Sequence, residues 1–132
     1  MSLELSMDFQ FKSSIEKLWS AISDSNKLAK WVADNDFKPV VGHRFQFRHA
    51  PSEYWDGIVD GEVIVVDEPN RLSYTWSTGD EKHTVTLTLH DLGDGKVNLH
   101  LEQTGFSNVH GLEGARYGWS EWVVELAKLL EQ

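Results

Sequence analysis

Six histidines in a 132-residue chain that has no cysteine pose the first chemical question, because imidazole is the commonest protein ligand for transition metals. Their spacing argues against a shared ion. His43, His83 and Gln103 carry the parity of apolar strand residues, and a cross-sheet row His43–Gly61–Trp76–His83–Gln103 can be drawn through them. Three strand spacings of about 4.8 Å place His43 and His83 on the order of 14 Å apart, too far to chelate one ion. His90 and His100 have the opposite parity, and His110 precedes the last helical segment. No metal and no other cofactor is expected. That row is still the most polar line on an otherwise apolar face. His83 and Gln103 could orient the polar end of a ligand against a Trp76 wall; in purely structural terms they would be hydrated residues at a cavity rim.

Acid–base catalysis would need a carboxylate with a displaced pKa in a closed site. Asp60 and Glu62 share the outward parity, Glu53 and Asp56 flank a turn, and GDEK at 79–82 reads as a solvated hairpin loop. Glu113 and Arg116, three apart on the last helix, make at most a surface pair. No serine sits in a nucleophile elbow, and GDG at 93–95 is a hairpin turn rather than a phosphate cradle. The lack of cysteine removes thiol chemistry and disulfides. No catalytic residue is assigned. The net charge of −9, with 21 acidic against 12 basic residues, argues against nucleic acid and anionic membranes as partners. The N-terminal MSLELSMDFQF alternates instead of running apolar, so it reads as neither signal peptide nor membrane span. A single cytoplasmic domain over 1–132, monomeric or weakly dimeric, is the expectation.

The elements that must position these residues follow from periodicity. LELSMDFQF alternates from Leu3 to Phe11, the period of a half-buried strand. SSIEKLWSAI offers Ser13 or Ser14 as a helix cap, and DSNKLAKWV starts a second short helix at Asp24 or Ser25. After Pro39 come HRFQFRH, WDGIVDGEVIVV, RLSYTWS, KHTVTLTLHDL and GKVNLHLEQTGF, separated by turn compositions. A long helix from about Asn108 to Glu131 closes the chain. Its apolar positions Ala115, Trp119, Trp122, Leu126 and Leu129 form one stripe, with Gly111, Gly114 and Gly118 beside it.

Parity also predicts register, since a one-residue slip turns a strand's apolar set outward. The predicted pairs are Val65–Leu72, Val63–Tyr74 and Gly61–Trp76; then Trp76–His83, Tyr74–Val85 and Leu72–Leu87; then Leu87–Leu99 and Val85–Leu101. Phe47 is set opposite Gly57, Phe45 opposite Val59 and His43 opposite Gly61. Thr84, Thr86, Thr88, Asn98, His100 and Glu102 then face water. The last helix must cover the other face. Gly114 and Gly118 on the helix, with Gly57 and Gly61 on the sheet, would hold the two layers apart and leave a tryptophan-walled pocket. The opposite reading of the same glycines is close contact without a void.

SSIEKLWSAISDSNKLAKWV, VGHRFQF at 41–47, EPNRLSYTW at 68–76, TGF at 104–106 and YGWSEWVVELAKLLE at 117–131 together resemble the START-like, helix-grip superfamily. Within it, the chain is similar to bacterial proteins homologous to the C-terminal domain of the activator of the heat-shock-protein-90 ATPase. The resemblance implies an α+β helix-grip fold: a curved antiparallel sheet of about six to seven strands around a long C-terminal helix, with two short helices after the first strand. It also implies an apolar cavity between helix and sheet. Such proteins include binders of lipids, polyketide-like aromatics and hormones, a few cyclases, and the co-chaperone domain, so membership leaves activity open. The separate N-terminal domain of the eukaryotic co-chaperone has no counterpart in these motifs, and direct ATPase activation is not expected.

Among the aromatics, Trp19 and Trp122 read as core. The expected ligand-binding residues are Trp31, Phe45, Phe47, Trp55, Val59, Gly61, Tyr74, Trp76, His83, Gln103, Phe106 and Gly118. The expected function is binding of a small hydrophobic, aromatic or lipid-like molecule in the internal cavity. The alternatives are a protein-interaction module with a chaperone as partner and a small cyclase or hydrolase of aromatic intermediates.

Overall fold

Ser14 and Asp24 open the two short helices as their residue types require, each side chain accepting a hydrogen bond from the backbone N–H three residues on (Lys17 N, 3.1 Å; Lys27 N, 3.0 Å). A computed structural model describes residues 3–53 and 55–131. The order is β1 (Leu3–Lys12), α1 (Ile15–Ser23), α2 (Ser25–Trp31), β2 (Asp34–Asn35), β3 (Arg44–Arg48), β4 (Ile58–Asp67), β5 (Arg71–Thr78), β6 (Glu81–Gly93), β7 (Lys96–Phe106) and α3 (Val109–Leu130). The strands form one seven-stranded antiparallel sheet in the order β1-β7-β6-β5-β4-β3-β2, curved around α3 in the helix-grip arrangement. The two-residue β2 has too little pattern to be read from sequence. No helix among the described residues is long and apolar enough to cross a membrane.

Strand parity holds except at the end of β4, and register shifts at three of the strand pairs. β5 and β6 pair as expected, with Trp76 opposite His83, Tyr74 opposite Val85 and Leu72 opposite Leu87. Between β6 and β7, however, Leu87 faces Leu101 and Val85 faces Gln103, two residues from the expected Leu99 and Leu101. The turn explains it. Asp94 and Gly95 both have positive φ (55° and 73°), as a tight primed turn demands. Left alone, that turn would set Leu89 against His100 and expose an apolar set. A bulge between Asp91 and Gly93 restores parity and pairs Leu89 with Leu99. A bulge between Val63 and Val65 has the opposite effect: Val63 still meets Tyr74, but Val65 pairs with Ser73 and turns outward, and Val66 takes the inward place opposite Leu72. Phe45 faces Gly61 and Phe47 faces Val59, so His43 leaves the predicted row and Phe45 takes its place.

The glycine expectation divides. At Gly61 a Cβ would meet Phe45 Cζ at 2.5 Å and Thr75 O at 2.6 Å, and at Gly57, whose φ is +84°, it would collide with His49 O. On the sheet, glycine permits close approach. Gly114 and Gly118 meet nothing within 4 Å, so on the helix it leaves space.

Toward its C-terminal end α3 buries Trp119, Val123, Leu126 and Leu130, packing on β1, α1, α2 and β7. Ala115, Trp122 and Leu129 of the predicted stripe are only half-buried, and the buried line runs through Val123 and Leu130 instead. Lys17 Nζ donates to Leu130 O at 2.7 Å, tying the start of α1 to a carbonyl left free at the end of α3.

On the wet face, His100 bridges two carboxylates: Nδ1 lies 2.9 Å from Asp8 Oδ1 across β1–β7, and Nε2 lies 2.9 Å from Glu102 Oε1. Glu102 first and then Asp8 raise the pKa of His100 above its ordinary 6.5. Folding therefore favours protonated His100. That stability is present in full below the unfolded value and is lost as pH rises through the raised folded value. Denaturant melts of His100→Ala should show their largest deficit against wild type between roughly pH 5 and 6.5 and a shrinking one at higher pH. A deficit that grows with pH contradicts the assignment.

Candidate functional site

The open side of α3 faces the inner surface of the sheet across a cavity of about 370 Å³. The helix contributes Gly111, Gly114, Ala115, Gly118, Trp119 and Trp122, which recur every three or four residues along one face. The sheet side contributes Val59 from β4, Trp76 and Thr78 from β5, Glu81 and His83 from β6, and Gln103 and Phe106 from β7. His49 and Trp55, from the connection between β3 and β4, close one end. Trp76 is the hub of the wall, its ring 5.5 Å from Phe47, 5.6 Å from Trp119 and 5.9 Å from Trp122.

Of the residues expected to bind ligand, Trp55, Val59, Trp76, His83, Gln103, Phe106 and Gly118 line this cavity. Phe45, Phe47 and Tyr74 do not. With Phe37 they form an edge-to-face cluster (Phe37–Phe45 4.9 Å, Phe45–Phe47 5.3 Å, Phe45–Tyr74 5.4 Å) that fills the space beside Gly61. Trp31 is buried between helices, donating to Ala21 O at 2.9 Å and packing 6.5 Å from Trp119. Trp122, expected in the core, instead stacks on His49 at 5.4 Å with ring planes 6° apart and lines the cavity. His49, Glu81, Trp119 and Trp122 were absent from the sequence-derived set. The spacing of Trp119 and Trp122 from Gly118 was a usable signal, and so was the parity of His49, which continues Phe45 and Phe47 at the end of the predicted strand HRFQFRH.

The hydrated-rim reading of His83 and Gln103 does not hold, since they are 7% and 2% exposed and belong to one ordered chain of hydrogen bonds. Trp119 Nε1 donates to Gln103 Oε1 at 2.7 Å. An indole nitrogen can only donate, so the amide's orientation is determined and Gln103 Nε2 must donate to His83 Nδ1, also at 2.7 Å. The ring proton of His83 is thereby placed on Nε2, which lies 3.0 Å from Glu81 Oε1 but off the line of an aligned hydrogen bond. His83 and then Ser107, whose N–H donates to the same oxygen at 2.7 Å, hold the Glu81 carboxyl below its ordinary value. A carboxylate held low is a weak base at neutral pH, so these groups suit recognition better than proton transfer. Burial lowers the pKa of His49. No cluster of three potential metal ligands occurs among the described residues.

Two mutational outcomes follow. Gly118→Ala should stabilise the protein by up to about 1 kcal/mol, because alanine favours helix and meets no neighbour. Gly61→Ala should cost on the order of 1–3 kcal/mol, because the new methyl meets a backbone oxygen that cannot withdraw. Denaturant melts of the pair measure both signs. Gln103→Met, near-isosteric but apolar, strands Trp119 Nε1 and His83 and should cost about 2–4 kcal/mol. A loss under 1 kcal/mol would show that the relay does not hold α3 to the sheet.

The sequence profile of the family described as "Activator of Hsp90 ATPase homolog 1-like protein" matches residues 12–131. Protein MLL2253 from Mesorhizobium loti is 33% identical with a TM-score of 0.88, over 98% of this chain and 97% of that one. Protein BH1534 from Bacillus halodurans is 27% identical with a TM-score of 0.80, over 98% of each chain. PFC0360w, an Hsp90 activator from Plasmodium falciparum, shares the fold at 18% identity, with a TM-score of 0.80 over 98% of this chain and 96% of that one. No curated protein sequence matches. A profile that spans all but the ends of the chain, together with a 33% identical structure of the same extent, means that this chain belongs to the family of activator-of-Hsp90-ATPase-homologue-1-like proteins.

Proposed function

We propose that this protein binds a small apolar, aromatic or lipid-like molecule in the cavity between α3 and the sheet, without a cofactor. The observation that carries this reading is the pairing of open space at Gly114 and Gly118 with facing walls of Trp55, Trp76, Trp119 and Trp122. A volume of about 370 Å³ lies within the range of small-molecule sites, and the lining has their composition: mostly aromatic, with a few placed polar groups. Trp55, Val59, Trp76, His83, Gln103, Phe106 and Gly118 are the proposed contacts from the sequence-derived set, joined by His49, Trp119 and Trp122. Membership of the family is compatible with this role and does not specify the ligand.

The family's description also makes a chaperone the rival partner. One feature favours such a contact: Tyr117 and Val124, seven residues apart on one side of α3, are 70% and 52% exposed. The two readings separate in one experiment. Under ligand binding, a panel of apolar and aromatic compounds at tens of micromolar should raise the melting temperature and quench or shift tryptophan emission. Trp76→Phe should shrink that optical signal. Capture of purified Hsp90 by the ligand-free protein, with no compound giving a thermal shift, would replace the cavity reading with the chaperone one.

A further inference from the structure

From Val109 to Gly118 no side chain of α3 is buried; the buried line begins at Trp119. Hydrogen bonds tie those first turns to the sheet at both ends. Ser107 N–H donates to Glu81 Oε1 just before the helix, and Trp119 Nε1 donates to Gln103 Oε1. Both ties lead to one buried histidine. Gln103 Nε2 donates to His83 Nδ1 at 2.7 Å, and Glu81 Oε1 lies 3.0 Å from His83 Nε2. Around His83, β5 presents Trp76, β7 presents Gln103 and Phe106, and α3 lines the same cavity with glycine, alanine and tryptophan, none of them titratable. Glu81 is its charged neighbour on β6, and His49 is the other titratable residue of the cavity lining.

The polarity of this chain of bonds belongs to the neutral ring. Imidazole is the side chain that takes up a proton near neutral pH, and once it does both of its nitrogens are donors. Gln103 Nε2 and His83 Nδ1 would then be two donors 2.7 Å apart. Turning the amide brings Oε1 to His83 but sets Nε2 against Trp119 Nε1, which can only donate. No orientation of Gln103 satisfies the charged ring and the indole together. The Glu81 carboxyl, held below its ordinary value by His83 and then Ser107, supplies the counter-charge that a buried imidazolium needs. We propose that His83 is a proton-operated latch on α3: when its ring becomes charged, Gln103 turns its oxygen to it, Trp119 loses its acceptor, and the turns before Trp119 loosen from the sheet. Val123, Leu126 and Leu130 keep the rest of the helix in place. The open space at Gly114 and Gly118 leaves little packing to oppose the movement. This inference goes beyond the cavity reading and requires no ligand.

Nitrogen-15 spectra of the purified protein, recorded from roughly pH 8 to about pH 5, follow the His83 ring and the Trp119 indole N–H separately. In wild type the Trp119 resonance should shift with the same midpoint as His83. Its protection from solvent exchange, corrected for pH, should fall roughly three- to tenfold, the worth of one ordinary hydrogen bond. His83→Asn puts a side-chain oxygen in the place of Nδ1 and cannot titrate, so its Trp119 signal should stay constant with pH. In Gln103→Glu a carboxylate can accept from the charged ring and the indole at once, so Trp119 should keep its bonded signal at low pH. Either variant suffices if the other does not fold. A wild-type Trp119 signal that ignores the charging of His83 overturns the latch, and so does a pH response that persists in His83→Asn, which would trace to His49. A His83 ring that stays neutral down to about pH 5 overturns it as well. Equal loss of protection along all of α3, through Val123 and Leu130, overturns the placing of the hinge at Trp119.

Discussion

The buried hydrogen bond from Trp119 Nε1 to Gln103 Oε1 sets how far α3 stands from the sheet. Toward the C-terminal side of Trp119, Val123, Leu126 and Leu130 close against β1, α1 and α2. Toward the N-terminal side, Gly118, Gly114 and Gly111 present no bulk, and the layers separate around the cavity. In a low-dielectric interior such a bond is costly to lose, and the relay continues from Gln103 to His83 with its polarity determined at the indole end. The helix is thus both gripped and held off by one residue.

A void is unfavourable in a protein interior, which otherwise packs like an organic crystal. Here the solid and open regions are segregated on one inner face. Phe37, Phe45, Phe47 and Tyr74 pack edge to face around the backbone at Gly61, where no side chain could be added without displacing something. Trp76 joins that cluster to the cavity by touching Phe47 on one side and Trp119 and Trp122 on the other. Rings have few rotamers, so walls built from them resist collapse better than flexible aliphatic chains would. The glycines on the two layers consequently serve opposite ends, close contact on the sheet and clearance on the helix.

One residue type takes three electrostatic roles. His100, on the wet face between Asp8 and Glu102, is pushed toward the charged form by its partners. His49, buried against Trp55 and Trp122, is pushed the other way by desolvation. His83 has its ring proton placed by Gln103 rather than by a charge. None of these differences is visible in residue identity, because each comes from the surroundings in which the fold sets the ring.

Helix caps, the order of the longer elements and the parity of most strands are local properties, and the sequence by itself determined them: period two and period 3.6 decide which side chains share a face before any tertiary contact exists. Register was partly out of reach. Parity allows pairings that differ by two residues, and the bulges after Val63 and Asp91 that select among them answer to turn geometry and sheet twist. The site was legible where it follows a period, as at Trp76, His83, Gln103 and Gly118. It was not legible at Trp122, whose position in a stripe cannot tell core from cavity wall, and parity that turned His49 inward could not say that it would reach the cavity. That distinction depends on where α3 packs against α1, α2 and the sheet, a long-range packing outcome. Only the tertiary structure could decide whether a glycine leaves a gap or permits a contact, because the deciding atoms at Gly61 and Gly118 belong to other elements of the chain.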